Sequence, residues 1–216
     1  MRVNEIFTGV SGEVGAFRQG SWCSFIRLAG CNLRCKWCDT VQAQEKDSGK
    51  EMSVREVSNN LPENINQVLI TGGEPLLQME AIEDLVLIRH DLNPSCRFQI
   101  ETNGTIFPSE FLLEKTCCVF DYKLPSSGMQ EKMIPFDSFP LQPHWIKFVI
   151  ANNIDYRWAR RIALLMQELS RSIAFSACPP DMSHNELFQR MKNDNLMDIL
   201  LSVQIHKLTK LQESVK

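Results

Sequence analysis

The 216-residue chain, 44% hydrophobic and 23% charged, is long enough for a substantial core, and a single domain over residues 1–216 is expected. A formal net charge of −3 without long runs of like charge lacks the footprint of a phosphate-binding surface, which argues against nucleic acid as a direct ligand. The first residues hold no apolar signal core and no apolar stretch approaches the ~20 residues of a membrane span, so a cytoplasmic protein with no membrane partner is expected.

Short β-rich runs alternate with helical segments along the chain. The first predicted strand is WCSFIRL (22–28), with no element predicted before it. A helix opens at Ser53, where Glu56 three residues on forms a capping box. The strand QVLIT (67–71) follows, then an amphipathic segment over 76–90, RFQIE (97–101), CCVFDY (117–122) and WIKFVI (145–150). A second amphipathic segment spans 155–170, then comes SIAFSA (172–177), and a last helix opens at Ser183 with Glu186. Most of the strands read as near-continuous apolar runs, the pattern of strands covered on both faces in a parallel sheet. Six such units in about 200 residues predict a partial, TIM-like (β/α)6 barrel.

Polar groups and glycines gather after the strands: AGCNLRCKWCDT after the first, GGEP after the second, TNG after the third, KLPSSG after the fourth and CPP after the sixth. Parallel α/β folds build their sites at these carboxyl ends, so one mouth of the barrel is the expected site.

A reducing compartment makes disulfides among the eight cysteines unusual. Cys23, Cys96, Cys117, Cys118 and Cys178 stand in apolar surroundings and read as small buried hydrophobes. Cys31, Cys35 and Cys38 are different, falling within eight consecutive residues. A structural zinc site closes with four ligands, and no second cysteine pair or neighbouring histidine supplies the fourth; His144, His184 and His206 are distant and read as surface or core residues. A four-iron four-sulfur (4Fe-4S) cluster held by three thiolates keeps one iron open, and an open iron can chelate the amino acid end of S-adenosylmethionine. Cys-x3-Cys-x2-Cys with Trp37 before the last cysteine, followed by GGEP, is the signature that this sequence shares with the radical S-adenosylmethionine superfamily.

The chain further resembles the 7-carboxy-7-deazaguanine synthase family. The likeness is carried by NEIFTGVSGEVGAFRQG, FIRLAGCNLRCKWCDT, TGGEPLLQ, ETNG, DYKLPSSGM, KFVI and VQIHK, which together span most of the sequence. It implies that Cys31, Cys35 and Cys38 hold the cluster. It implies also that Gly72, Gly73 and Glu74 meet the amino group of S-adenosylmethionine, that Trp37 and Asp39 flank this cofactor, that Glu101, Thr102 and Asn103 lie at its ribose, and that Lys123 lies near it. Thr40 matches a position that helps bind magnesium, with other ligands from substrate and water. Val10, Ser11, Gly12, Glu13, Arg27 and Thr71 match substrate-contacting positions, Arg27 being suited to a carboxylate. Without the resemblance, Arg27 reads as a solvent-facing or salt-bridged strand residue, Gly12 and Glu13 as an ordinary turn, and Thr40 carries almost no signal.

Two stretches depart from the family pattern. SGEVG stands where a glutamine-glycine-glutamate-glycine form is more usual, which leaves the contacts of Ser11 and Val14 open. DYKLPSSG replaces a Ser-Pro-Lys form, keeping the lysine and leaving Ser126 and Ser127 as candidates for the serine.

The implied reaction is the radical ring contraction of 6-carboxy-5,6,7,8-tetrahydropterin to 7-carboxy-7-deazaguanine with loss of ammonia, fed by a low-potential electron donor such as flavodoxin. The family implies a homodimer, and the tail LLSVQIHKL is expected to pack on its own barrel. A glycyl-radical activase, another pterin-modifying radical enzyme and a non-catalytic zinc or iron–sulfur protein remain as alternatives at this stage.

Overall fold

The structure, a computed structural model, describes residues 1–140, 144–167, 172–205 and 212–213. Its elements in order are β1 (Arg2–Val10), β2 (Trp22–Leu28), β3 (Lys50–Glu51), α1 (Val54–Asn59), β4 (Gln67–Gly72), α2 (Met79–Leu92), β5 (Arg97–Thr102), α3 (Glu110–Lys115), β6 (Thr116–Tyr122), β7 (Trp145–Ile150), α4 (Asn153–Gln167), β8 (Ser172–Ala177), α5 (His184–Asn193), β9 (Leu200–Ser202) and β10 (Gln212–Glu213). One sheet runs in the order β10-β1-β2-β4-β5-β6-β7-β8-β9 and does not close on itself, with β3 paired to β1. From β2 to β9 every neighbouring pair is parallel, whereas β1 lies antiparallel on β2. The fold is thus a partial barrel of the expected kind.

All six predicted strands are present, and five further elements were not expected from the sequence: β1, the two-residue strands β3 and β10, β9 and α3. β1 forms where no element was predicted. Its register on β2 shifts between Val3 and Glu5, and this bulge sets Asn4 and Glu5 side by side and breaks the alternation that would have marked a strand. β9 is only three residues long, extending the sheet beyond β8, so LLS of the tail does pack on its own barrel; residues 206–211 lie outside the described residues. α3, six residues capped by Ser109, is too short to show a helical period.

The parallel strands present two different faces. Ile26, Leu28, Val68, Ile70, Phe98, Ile100, Phe120, Phe148 and Phe175 point outward and pack under the helices with Val57, Ile82, Leu85, Leu112, Ile162 and Leu187. Each such side chain removed from water contributes roughly 1.5–3 kcal/mol. The Ser53–Glu56 capping box is formed on both sides, and Ser183 accepts the backbone N–H of Glu186. His144 is a core residue whose Nδ1 accepts from Cys118 N–H at 3.1 Å.

The inner face is filled from within by the loop that joins β1 to β2. Val14 packs against Val119 and Ala174, and Phe17 against Phe7, Cys23, Phe25 and Leu69. Ala16 N–H donates to Gln99 Oε1 at 2.8 Å. Gly15 runs so close to the Gln99 side chain that an added Cβ would stand 2.0 Å from its Oε1. The end of β9 and the residues after it bind this loop across the open edge: Ser202 Oγ accepts from Val14 N–H, and Ile205 N–H donates to Gly12 O. No helix among the described residues is long and apolar enough to cross a membrane.

Candidate active site

The carboxyl end of β2 runs directly into the cysteine loop, and backbone bonds fix its start: Gly30 N–H donates to Ala43 O and Cys31 N–H to Gln44 O. The loop is pinned from the other side by the turn after β6. Lys36 N–H donates to Ser127 O at 3.0 Å, and Trp37 Nε1 donates to Ser126 Oγ at 2.9 Å. Cys31, Cys35 and Cys38 all line one cleft of about 370 Å3. Burial raises the thiols of Cys31 and Cys35, the latter to about 11, with Lys123 opposing and the neighbouring thiols adding to the rise at Cys35. Among the described residues no three His, Cys, Asp or Glu converge to hold a single ion. Three soft donors spread around a cleft suit a cluster, whose ligands bind different irons, and fit the expected 4Fe-4S group.

The turn after β4 packs against this loop. Gly73 N–H donates to Leu28 O and Glu74 N–H to Gly30 O, and a Cβ on Gly73 would stand 2.1 Å from Gly30 O. Gly72 and Gly73 line the cleft. Glu74 is fully buried beneath it and faces the protein: Oε1 accepts from Leu76 N–H and Thr102 Oγ1, and Oε2 from Asn103 N–H. Burial raises its carboxyl, and these three donors oppose the rise. Thr102 and Asn103 line the cleft, with the Thr102 hydroxyl turned to Glu74 and Asn103 Nδ2 donating to Asn32 Oδ1 at 2.9 Å.

Deeper in the cleft the inner face carries charge. Lys147 on β7, its side chain 5% exposed, makes a short contact with Glu13 and lies 3.4 Å from Asp121 and 3.9 Å from Glu101. Lys123 pairs with Asp121 at 3.2 Å and sits over the Trp37 ring, 5.1 Å from its centroid. Burial works against every one of these charges. For Glu13 the Lys147 ammonium outweighs burial and holds the carboxyl below its ordinary value, and the two lysines do the same for Asp121. At Glu101 burial wins, pushing its carboxyl up to about 8 against the pull of Lys147. Both lysines are held above their ordinary value because the carboxylates outweigh burial.

The other wall carries Arg27 and Thr71, neighbours in the β2–β4 register. Arg27 contacts Glu5 through Nε at 3.4 Å and lies over the Phe7 ring. Gly12 and Glu13 reach the cleft, and Gln204 Nε2 donates to Glu13 Oε1 at 2.6 Å. Asp39 and Thr40 lie at the rim, where Thr40 Oγ1 donates to Asp39 Oδ1 at 3.1 Å and its lone pairs stay available to a hard cation.

Of the residues singled out in the sequence, Val10, Ser11, Val14, Glu74, Ser126 and Ser127 do not line the cleft. Val10 is still paired to Trp22 on β2, and Ser11 is buried with its backbone bonded to Ser21 and Gly20; the chain turns inward only at Gly12. Cys178, expected as a buried hydrophobe, instead lines the cleft after β8. Asp121, Lys147 and Gln204 were missed. The signal for the first two was present, because a lone charge inside an apolar strand must find a partner in the interior.

A family model described as the Radical SAM superfamily matches residues 25–116. The 7-carboxy-7-deazaguanine synthase of Clostridium acetobutylicum is 36% identical, covering 96% of this chain and 95% of its own length. That of Leptospira interrogans serogroup Icterohaemorrhagiae serovar Lai is 32% identical over 95% and 93%. Among solved structures, QueE from Escherichia coli has the same fold at 23% identity, with a TM-score of 0.65 over 94% of this chain and 93% of its own.

Proposed function

Since the chain belongs to the 7-carboxy-7-deazaguanine synthases of the radical S-adenosylmethionine superfamily, we infer that it converts 6-carboxy-5,6,7,8-tetrahydropterin to 7-carboxy-7-deazaguanine by ring contraction with loss of ammonia. The observation that carries this reading is that Cys31, Cys35, Cys38, Gly72, Gly73, Glu13, Arg27 and Thr71 line the same cleft. Its test is anaerobic turnover of that pterin, with product followed by mass spectrometry.

In this reading Cys31, Cys35 and Cys38 hold the 4Fe-4S cluster. When bound, the cluster supplies the electron that cleaves S-adenosylmethionine and so provides the radical chemistry. The backbone of Gly72 and Gly73 meets the cofactor's amino group; Glu74 holds that backbone in place through the Thr102 and Asn103 bonds rather than by reaching the ligand. Trp37 and Asp39 flank the cofactor, Glu101 and Asn103 accept and donate at its ribose, and Lys123 balances charge beside it.

Arg27 takes the pterin carboxylate through its terminal guanidinium nitrogens, its Nε being engaged by Glu5. Glu13, ionised by Lys147, accepts from the amino-pyrimidine edge, and Gly12 and Thr71 complete that wall. Phe25, Leu33, Leu69 and Val149 line the remainder and exclude water. The Thr40 hydroxyl would give a magnesium ion one ligand, with the substrate carboxylate and water as the others, and such an ion would supply orientation and polarisation of that carboxylate.

Flavodoxin, an acidic donor, is proposed to approach over the cluster loop, whose exposed Arg34 and Lys36 suit such a partner. One domain over residues 1–216 is supported by the single sheet, and a homodimer in the cytoplasm is proposed, to be checked by sedimentation.

A further inference from the structure

A single ammonium, that of Lys147, gathers carboxylates from three elements: Glu13 from the β1–β2 loop in a short contact, Asp121 from β6 at 3.4 Å and Glu101 from β5 at 3.9 Å. The group is enclosed, with side chains 5–20% exposed, so water screens it weakly. In the reading above, Glu13 meets the pterin and Glu101 the nucleoside. Lys147 therefore stands between groups that serve two different ligands.

We propose that Lys147 is a positioning residue that couples the two halves of the cleft, so that the pterin and S-adenosylmethionine each bind more tightly when the other is present. This rests on the assignment of Glu13 and Glu101 made above.

The coupling follows from how one cation is shared. Without ligands its shortest contact is Glu13, and Glu101 lies beyond hydrogen-bond reach. Glu13 is also fixed by Gln204, and Glu101 by Gln99 Nε2 at 2.6 Å, so both carboxylates stay in place while the lysine tip can move. Donation from a pterin edge to Glu13 spreads the charge of that carboxylate and weakens its hold on Lys147. The ammonium then turns toward Glu101 and Asp121. Glu101, favoured in its ionised form, becomes a better acceptor for ribose hydroxyls. By linkage, a nucleoside that fixes ionised Glu101 favours the pterin by the same factor.

The test is calorimetry on cluster-loaded enzyme kept unreduced, so that nothing turns over. The affinity for S-adenosylmethionine is measured with and without 6-carboxy-5,6,7,8-tetrahydropterin, and the reverse. In the wild type each ligand tightens the other at least about fivefold, the lower end of usual couplings. Lys147→Met brings that ratio to within about twofold of one, and Lys147→Arg retains part of it. A wild-type ratio of one, or a Lys147→Met enzyme that keeps the wild-type ratio, overturns the proposal. If Lys147→Met does not fold, Glu101→Gln carries the test: it is expected to lose the coupling, and retention overturns the proposal equally. A wild-type enzyme that binds neither ligand overturns the functional reading and this inference with it.

Discussion

Asp155, in the first turn of α4 and fully buried, accepts the backbone N–H of Ser126 on Oδ1 at 2.9 Å. Its Oδ2 accepts Ala151 N–H at 3.0 Å, and Ser126 Oγ in turn accepts from Trp37 Nε1. A helix on the outside of the barrel thereby sets the aromatic ring of the cysteine loop. Asp155→Ala leaves one buried and one partly buried N–H donor without partners and is expected to cost about 2–4 kcal/mol. Thermal melting reads the loss. A red-shifted tryptophan emission and a lowered iron content after reconstitution report the loosened loop, and unchanged emission would refute the link to Trp37.

Glu74 does its work by accepting, with three donors on its two oxygens. Glu74→Gln turns one oxygen into a donor facing another donor, and the buried site gives it no alternative. A destabilisation of about 1–3 kcal/mol is expected, read in urea. Weaker binding of S-adenosylmethionine accompanies it, because the β4 and β5 turns lose their common tie.

At Gly73 the two site loops approach too closely for a side chain, a Cβ there falling 2.1 Å from Gly30 O. Gly73→Ala must push the turn away from the cysteine loop. A displacement of about 1 Å between reacting groups costs on the order of a hundredfold in rate. Formation of 5′-deoxyadenosine is expected to fall by that factor in enzyme of wild-type iron content; a change under threefold would contradict the packing argument.

Burial lifts the Glu101 carboxyl to about 8, so the folded chain holds this proton more tightly than the unfolded chain does. Stability from this group is therefore fullest below about pH 4.3, declines as the pH rises, and is lost above about 8. Glu101→Gln has no such slope. In the ligand-free protein the melting temperature of the variant is expected to gain on the wild type from pH 5 to pH 8, by a few degrees, and then level off. A difference that stays constant across this range would show that Glu101 is ionised throughout.

The outward face of the barrel was legible because runs such as QVLIT and WIKFVI hide apolar residues under helices at alternate positions. The cysteine loop was legible because three thiolates in eight residues have few other uses. β1 was not, since its bulge brings Asn4 and Glu5 together. Lys147 and Asp121 were overlooked as single charges in apolar strands, and only the parallel register makes them neighbours. Glu74 is the opposite case: residue type and motif suggested a ligand contact, and in the fold both oxygens accept hydrogen bonds from the protein. No local pattern announces Gln204, which reaches Glu13 from 191 positions away.

The most direct test of the account is anaerobic turnover by cluster-loaded enzyme given S-adenosylmethionine, magnesium, a low-potential reductant and 6-carboxy-5,6,7,8-tetrahydropterin. The expected products are 7-carboxy-7-deazaguanine and ammonia in equal amounts, abolished in Cys35→Ala. Formation of 5′-deoxyadenosine without 7-carboxy-7-deazaguanine would contradict the substrate assignment, and absence of both from fully loaded enzyme would contradict the radical chemistry itself.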